Sequence, residues 1–363
     1  KFIILFMLIK IRMKKEKFGT TKDGKEVTRY TLENANGMKV SFIDLGAVIT
    51  NIWVPDRDGH LDDVVHGYDD VASYEVNEPS FGAPVGRCAN RISDGHFVIN
   101  GVEYKLDQND STNCLHSGYL RFNYMMYEAE YEKGDGEQVL TFSRVSPDGE
   151  QHFPGTFTYS ITYHLTDDNE LIIEYDGVSD ADTVVNMTNH SYFNLGKGGH
   201  KGEQILNHEV KIFADRYNPV NDLLYPTGEF ADVEGTPFDF REFKVIGTDV
   251  VSDKSSPDYF KGYDHNFVLE HEKGEVITAA ICREPQTGRT LTVLTDQPGI
   301  QMYTAPELSG EHGKDGVIYG PSSAVCFETQ NFPNAINTPE FPDIVLKAGE
   351  PYRHYTVFRF GTY

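Results

Sequence analysis

The chain has 363 residues, 39% hydrophobic and 12% aromatic, enough to bury a sizeable core in one large domain or two ordinary ones. Asp and Glu number 56 against 32 Lys and Arg, a formal net charge of −24. So negative a body repels phosphate backbones and anionic headgroups, which argues against nucleic-acid and membrane partners and leaves a neutral small molecule as the easier one.

Residues 2–9 are an apolar run followed by Lys10, Arg12, Lys14 and Lys15. A secretory signal carries its positive charge before the apolar stretch, and spanning a bilayer takes about 20 apolar residues. Residues 1–12 are therefore expected to be an extension outside the fold, and residues 13–363 a single domain.

From about residue 28 the chain reads as strand after strand, with expected strands at 40–45, 171–175, 183–187, 290–295, 324–327 and 352–360. His96-Phe97-Val98-Ile99-Asn100-Gly101-Val102-Glu103-Tyr104 reads as a hairpin around an Asn-Gly turn. Phe157, Tyr159, Ile161, Tyr163 and Leu165 alternate strictly with Thr158, Ser160, Thr162 and His164, a period of two that sets one row against a core. Asp167-Asp168-Asn169 and Pro285-Gln286-Thr287-Gly288 punctuate the strands as turns. No helical periodicity outlasts two turns, which excludes doubly wound α/β folds and TIM barrels. The expected fold is all-β, a large antiparallel β-sandwich.

Cys88, Cys114, Cys282 and Cys326 are far apart, without a C-x-x-C pair. Cys114 and Cys326, with apolar flanks, read as buried free thiols. Nothing in this usage asks for an oxidising compartment, and a cytoplasmic location is expected.

Four stretches hold polar groups that a strand does not need. Gly86-Arg87-Cys88-Ala89-Asn90-Arg91-Ile92 offers surface arginines or, at Asn90 and Arg91, a fork of donors for sugar hydroxyls. Asn113-Cys114-Leu115-His116-Ser117-Gly118 offers a structural or a binding histidine. Asn186-Met187-Thr188-Asn189-His190-Ser191-Tyr192-Phe193-Asn194-Leu195 packs three amides, two hydroxyls, an imidazole and a phenol after an expected strand, a cluster costly to bury without partners. Phe327-Glu328-Thr329-Gln330-Asn331 runs from an apolar strand into amides and suggests a half-buried carboxylate at Glu328. Metal-ligand spacings, G-x-S-x-G, P-loop and dinucleotide signatures are absent. What remains suits proton transfer on a polyhydroxylated substrate.

Together, and in this order, the four stretches resemble the galactose mutarotase (aldose 1-epimerase) family. The resemblance runs from about residue 17 to the C-terminus and includes Glu234-Gly235-Thr236-Pro237-Phe238-Asp239-Phe240, Tyr263-Asp264-His265-Asn266-Phe267 and Gln297-Pro298-Gly299-Ile300-Gln301. It implies a β-supersandwich with an open sugar cleft on one sheet. It implies His190 as general acid, Glu328 as general base, and sugar contacts at Asn90, Arg91, His116, Asp264 and Gln301, with Ser191 and Tyr192 flanking the acid. The implied chemistry opens and recloses a free hexose such as glucose or galactose, with no metal or other cofactor, in a monomer or homodimer. Mutual attraction between the two charges is expected to lower the Glu328 pKa and raise that of His190. The rival readings are an epimerase of a phosphorylated hexose and a non-catalytic carbohydrate-binding protein.

One loop departs from the family. Two glycines usually follow the Leu-His, then a Gly-Phe-Asp-Lys run ending in Trp. Here Ser117-Gly118 is followed by Arg121-Phe122-Asn123-Tyr124, with Tyr127 where the Trp would fall.

Overall fold

The computed structural model describes residues 13–201, 203–251, 254–255 and 260–363. The expected extension at residues 1–12 lies outside them.

Period-two sequences become a nine-stranded antiparallel sheet in the order Glu128–Lys133, Glu137–Ser146, Phe157–Thr166, Glu170–Ser179, Pro351–Thr362, Arg289–Thr295, Ile277–Arg283, Glu209–Ile212 and Lys244–Val245. Phe157, Tyr159, Ile161, Tyr163 and Leu165 are all buried, as their alternation requires. Two five-stranded sheets pack against this inner face. The first runs from Lys14–Thr20 to Leu61–Asp63, and its Phe42 ring lies 4.6 Å from that of Tyr163. The second has the order Ala231–Asp232, Arg216–Tyr217, Asp264–Val268, Gly299–Tyr303 and Cys326–Gln330. Phe267, Ile300, Met302 and Phe327 join one continuous core with the large sheet. The fold is the all-β sandwich expected; among the described residues the α-helix is a single turn, Val71–Tyr74, capped by Asp70.

The hairpin forms between His96–Ile99 and Val102–Lys105. Asn100 (φ 52°) and Gly101 (φ 79°) both take the positive φ that a tight turn of this hand needs. All four cysteines are buried free thiols.

Strand boundaries differ from the sequence reading at several places, and two of them lie near the polar stretches. The strand expected at 183–187 is Thr183–Val184: Val185 still donates to Ile344 O along the same pairing, but the Asn186 N–H turns aside to Arg87 O. The strand expected at 324–327 is Cys326–Gln330, which puts Glu328 in the middle of a strand instead of at its end.

Candidate active site

Alternation on the second five-stranded sheet builds one wall of a cleft. In Cys326–Gln330, Phe327 enters the core and Thr329 Oγ1 lies 2.6 Å from Thr356 Oγ1 of the large sheet. Glu328 therefore points the other way. Gln301 is its partner across the ladder, and Asp264 pairs with Tyr303, so Asp264, Gln301, Tyr303 and Glu328 share that outer face.

His190 comes from Thr188–His190, which pairs with Ala83–Val85. Its Nε2 lies 3.6 Å from Glu328 Oε1. The Tyr192 ring stacks on the imidazole, centroids 4.9 Å apart at 12°, and the His116 ring meets it edge-on at 5.4 Å. His116 holds a left-handed backbone (φ 52°) and donates its N–H to Asn90 O at 3.1 Å. In return the Asn90 N–H donates to His116 Nδ1 at 3.1 Å. That bond makes Nδ1 an acceptor, so the proton of the neutral ring sits on Nε2.

Opposite, Arg91 Nε donates to Asp110 Oδ2 at 2.7 Å and Nη1 to Asp264 Oδ2 at 3.4 Å. Gln301 Nε2 holds the other Asp264 oxygen at 2.7 Å. The resulting cleft has a volume of about 360 Å3 and is lined by Asn90, Arg91, His116, His190, Tyr192, Asp264 and Glu328 together with Arg121, Tyr303 and the acidic rim residues Glu78, Glu307 and Glu311. A space of this size suits a small ligand.

Burial governs the charges. Glu328 is 2% exposed and its pKa is pushed well above the ordinary carboxylate value, first by desolvation and then by Asp264, with Arg91 opposing. His190, 6% exposed, is lowered from 6.5 to about 4, again by desolvation, with Asp264 pulling up and Arg121 pushing down. Desolvation outweighs the attraction within the pair, so both directions are the reverse of the expected ones. Glu328 is likewise fully buried, not half-buried. Both shifts favour the uncharged forms, carboxylic acid beside neutral imidazole. Burial lowers His116 as well, which keeps it neutral.

Of the residues singled out by sequence, Ser191 and Gln301 do not line the cleft. Ser191 Oγ donates to Asn189 Oδ1 at 2.6 Å in a local turn, and Gln301 acts on the cleft through Asp264. Arg87 is a buried structural cation held by Ser146, Pro147, Pro154 and Thr183, not a surface charge. Sequence reasoning missed Tyr303 and Arg121. Arg121 stood in the departing loop, which was the available signal; Tyr303, an aromatic at a strand end, carried none.

His116, His190 and Glu328 also bring three potential metal-ligand atoms within 4.8 Å of one another, which no spacing in the sequence announced. The hydrogen bonding does not fit an ion. A metal-bound histidine donates its second N–H to an acceptor, whereas here the second nitrogen of His116 itself accepts from a backbone N–H.

The structure thus sets a small polar cleft holding a His–Glu pair on the face of an all-β sandwich. Residues 28–359 match the aldose 1-epimerase family model. The chain is 42% identical over 344 residues to the galactose mutarotase of Mus musculus, covering 93% of this chain and 95% of that one. It is 36% identical to the aldose 1-epimerase of Haemophilus influenzae, with 93% and 97% covered. Among solved structures, galactose 1-epimerase from Lactobacillus acidophilus superimposes with a TM-score of 0.83 at 26% identity, covering 97% and 99%. An aldose epimerase homologue from C. elegans gives 0.82 at 28%, covering 92% and 98%. The chain belongs to the aldose 1-epimerase family.

Proposed function

We propose that this chain, as a single domain over residues 13–363, interconverts the α and β anomers of free hexoses such as D-glucose and D-galactose. Opening a pyranose removes the proton of the C1 hydroxyl and delivers one to the ring oxygen. Both oxygens are bonded to C1, so one acid and one base close together serve them both. The observation that carries the reading is the His190–Glu328 pair, 3.6 Å apart at the foot of the cleft.

Glu328 is the base at the C1 hydroxyl and His190 the acid at the ring oxygen; rotation about C1–C2 and the reverse transfers then close the other anomer. The working form, imidazolium beside carboxylate, carries the same single proton as the uncharged pair. The two forms differ only in which partner holds that proton. His116, through its Nε2–H, and Arg91 with Asp264 supply donors and acceptors for the other hydroxyls and keep the open-chain aldehyde oriented. No step calls on a metal or other cofactor.

A phosphorylated hexose fits less well, because both cleft arginines already face carboxylates, Arg91 those of Asp110 and Asp264 and Arg121 that of Glu78. Sparse, buried, unpaired cysteines support a cytoplasmic setting. Among the described residues no helix is long and apolar enough to cross a membrane. Polarimetry of freshly dissolved α-D-glucose and α-D-galactose tests the reading: added protein should speed the approach to the equilibrium rotation, and an unchanged rate for both sugars overturns it.

A further inference from the structure

Arg121 occupies the departing loop, where the family's run begins with glycine. It is 7% exposed and lines the cleft beside Ser80 and His116. Nε donates to Gly118 O at 3.4 Å, Nη1 to Glu78 O at 2.6 Å and to Ser80 Oγ at 3.3 Å, and Nη2 to Glu78 Oε1 at 3.2 Å. The planar fork therefore joins two segments that are far apart in the chain.

Each segment serves one histidine. Gly118 lies two residues beyond His116, and its N–H closes the turn by donating to Leu115 O at 3.1 Å. The segment 78–83 braces the strand of His190. Pro79 O accepts the hydroxyl of Tyr192, whose ring stacks on His190. The Gly82 N–H donates to His190 O at 3.1 Å, and Ala83 is the strand partner of His190.

We propose that Arg121 is a positioning residue for the epimerase reaction: its guanidinium fastens the loop bearing His116 to the segment against which the strand of His190 is paired, and its fixed positive charge stands on the cleft wall with both rings. The proposal rests on the acid–base reading given above and adds to it a residue that acts through the histidines. Around His190 stand Glu328, Asp264, His116, Tyr192, Tyr303 and Arg121. Of these Arg121 is the cation that disfavours protonation of His190, against the pull of Asp264. Removing its charge raises the His190 pKa and moves the acid limb of the activity profile to higher pH.

The test compares kcat, KM and pH profiles for α-D-glucose mutarotation by the full chain and by Arg121→Met, Arg121→Lys and Ser80→Ala, with folding checked by circular dichroism. Arg121→Met is expected to lower kcat about tenfold or more, with KM changed far less, and to shift the acid limb upward. Arg121→Lys should return the limb, because the charge is restored, but not kcat, because one ammonium does not span Gly118, Glu78 and Ser80. Ser80→Ala, which removes one arm and leaves the charge, should lower kcat in part with the limb unmoved, and it decides the matter if the Arg121 variants do not fold. A folded Arg121→Met enzyme with wild-type kcat, or with an unmoved acid limb, overturns the proposal, as does a Ser80→Ala enzyme with unchanged kcat. His190→Asn and Glu328→Gln are measured alongside. If they stay active the acid–base reading fails; if they are inactive while Arg121→Met behaves as wild type, only this proposal fails.

Discussion

His190 Nε2 and Glu328 Oε1 stand 3.6 Å apart although they belong to different sheets, His190 on the short pair with Ala83–Val85 and Glu328 on the sheet that builds the cleft wall. His190 Nδ1 and Glu328 Oε2 are both buried without a hydrogen-bond partner. Unmatched polar atoms of this kind are costly in a folded core and are retained where a ligand supplies the partner.

Each end of the pair is expected to be indispensable. Glu328→Gln keeps the shape and loses the base, and His190→Asn loses the acid; each should cost at least about two orders of magnitude in kcat. The double variant should be little worse than the poorer single one, since proton transfer fails once either end is gone. Polarimetric rates on folded variants check this, and near-normal turnover in both singles would overturn the assignment.

Chelation should leave the rate unchanged. The Asn90 N–H to His116 Nδ1 bond puts the imidazole proton on Nε2, so turning that nitrogen toward an ion means breaking a buried backbone hydrogen bond. Prolonged EDTA treatment followed by polarimetry is the measurement. Activity lost and then restored by a divalent cation would show that the three clustered ligands do bind metal.

Gln301 and Asp264 should behave as one unit. Asp264 is gripped on one oxygen by Gln301 and on the other by Arg91. Asp264→Ala and Gln301→Ala should each raise KM, and the effect of the pair should fall short of their sum. Ser191→Ala, outside the cleft and tied to Asn189, should leave KM as it is. Additive losses, or a Ser191 effect as large as that of Asp264, would contradict this geometry.

Lys314 predicts a stability effect away from the cleft. Buried with Asp63, its Nζ donates to that carboxylate, to Thr50 O at 2.9 Å and to Val65 O at 2.7 Å. Lys314→Met strands the carboxylate and should cost roughly 3–5 kcal/mol, whereas removing both charges together should cost less. Urea midpoints of the two single variants and the double measure the coupling; equal losses in all three would indicate another origin.

The parts of the fold that are amphipathic in the ordinary way were legible in the sequence. The row from Phe157 to Leu165 and the Asn100-Gly101 turn have one wet and one dry side, which is what period-two and turn reasoning assume. The cleft strands break that assumption. In Cys326–Gln330 every residue is buried, Phe327 by the core and Glu328 by the cleft, so a polar run that looks like a strand end is its middle. The residue types at His190 and Glu328 were readable because no structural need explained them. Their protonation was not, since burial on both sides is a tertiary property. Arg121 was hidden for the same reason: a charge in a loop reads as solvated until the opposite segment, Glu78 to Ser80, is seen closing over it.

The pH profile separates the buried pair from an exposed one. Activity needs the pair to hold one proton, so rates should follow a bell whose limbs mark the gain of a second proton and the loss of the first. With desolvation in control, the second proton goes to His190, whose pKa is lowered to about 4, and the acid limb should lie near there. The first proton leaves Glu328, whose pKa is raised, so the basic limb should lie well above the ordinary carboxylate range. Two solvated groups would assign the limbs the other way round, the carboxylate near 4.3 and the imidazole near 6.5, and would leave only a narrow optimum. The two cases differ in which residue removes which limb. In the residual activity of His190→Asn the acid limb should vanish and the basic limb remain, and in Glu328→Gln the reverse. Stopped-flow polarimetry across pH 3 to about 10 on the wild type and both variants would decide between them. An acid limb that survives His190→Asn but disappears in Glu328→Gln would mean that attraction within the pair, and not burial, sets the charges.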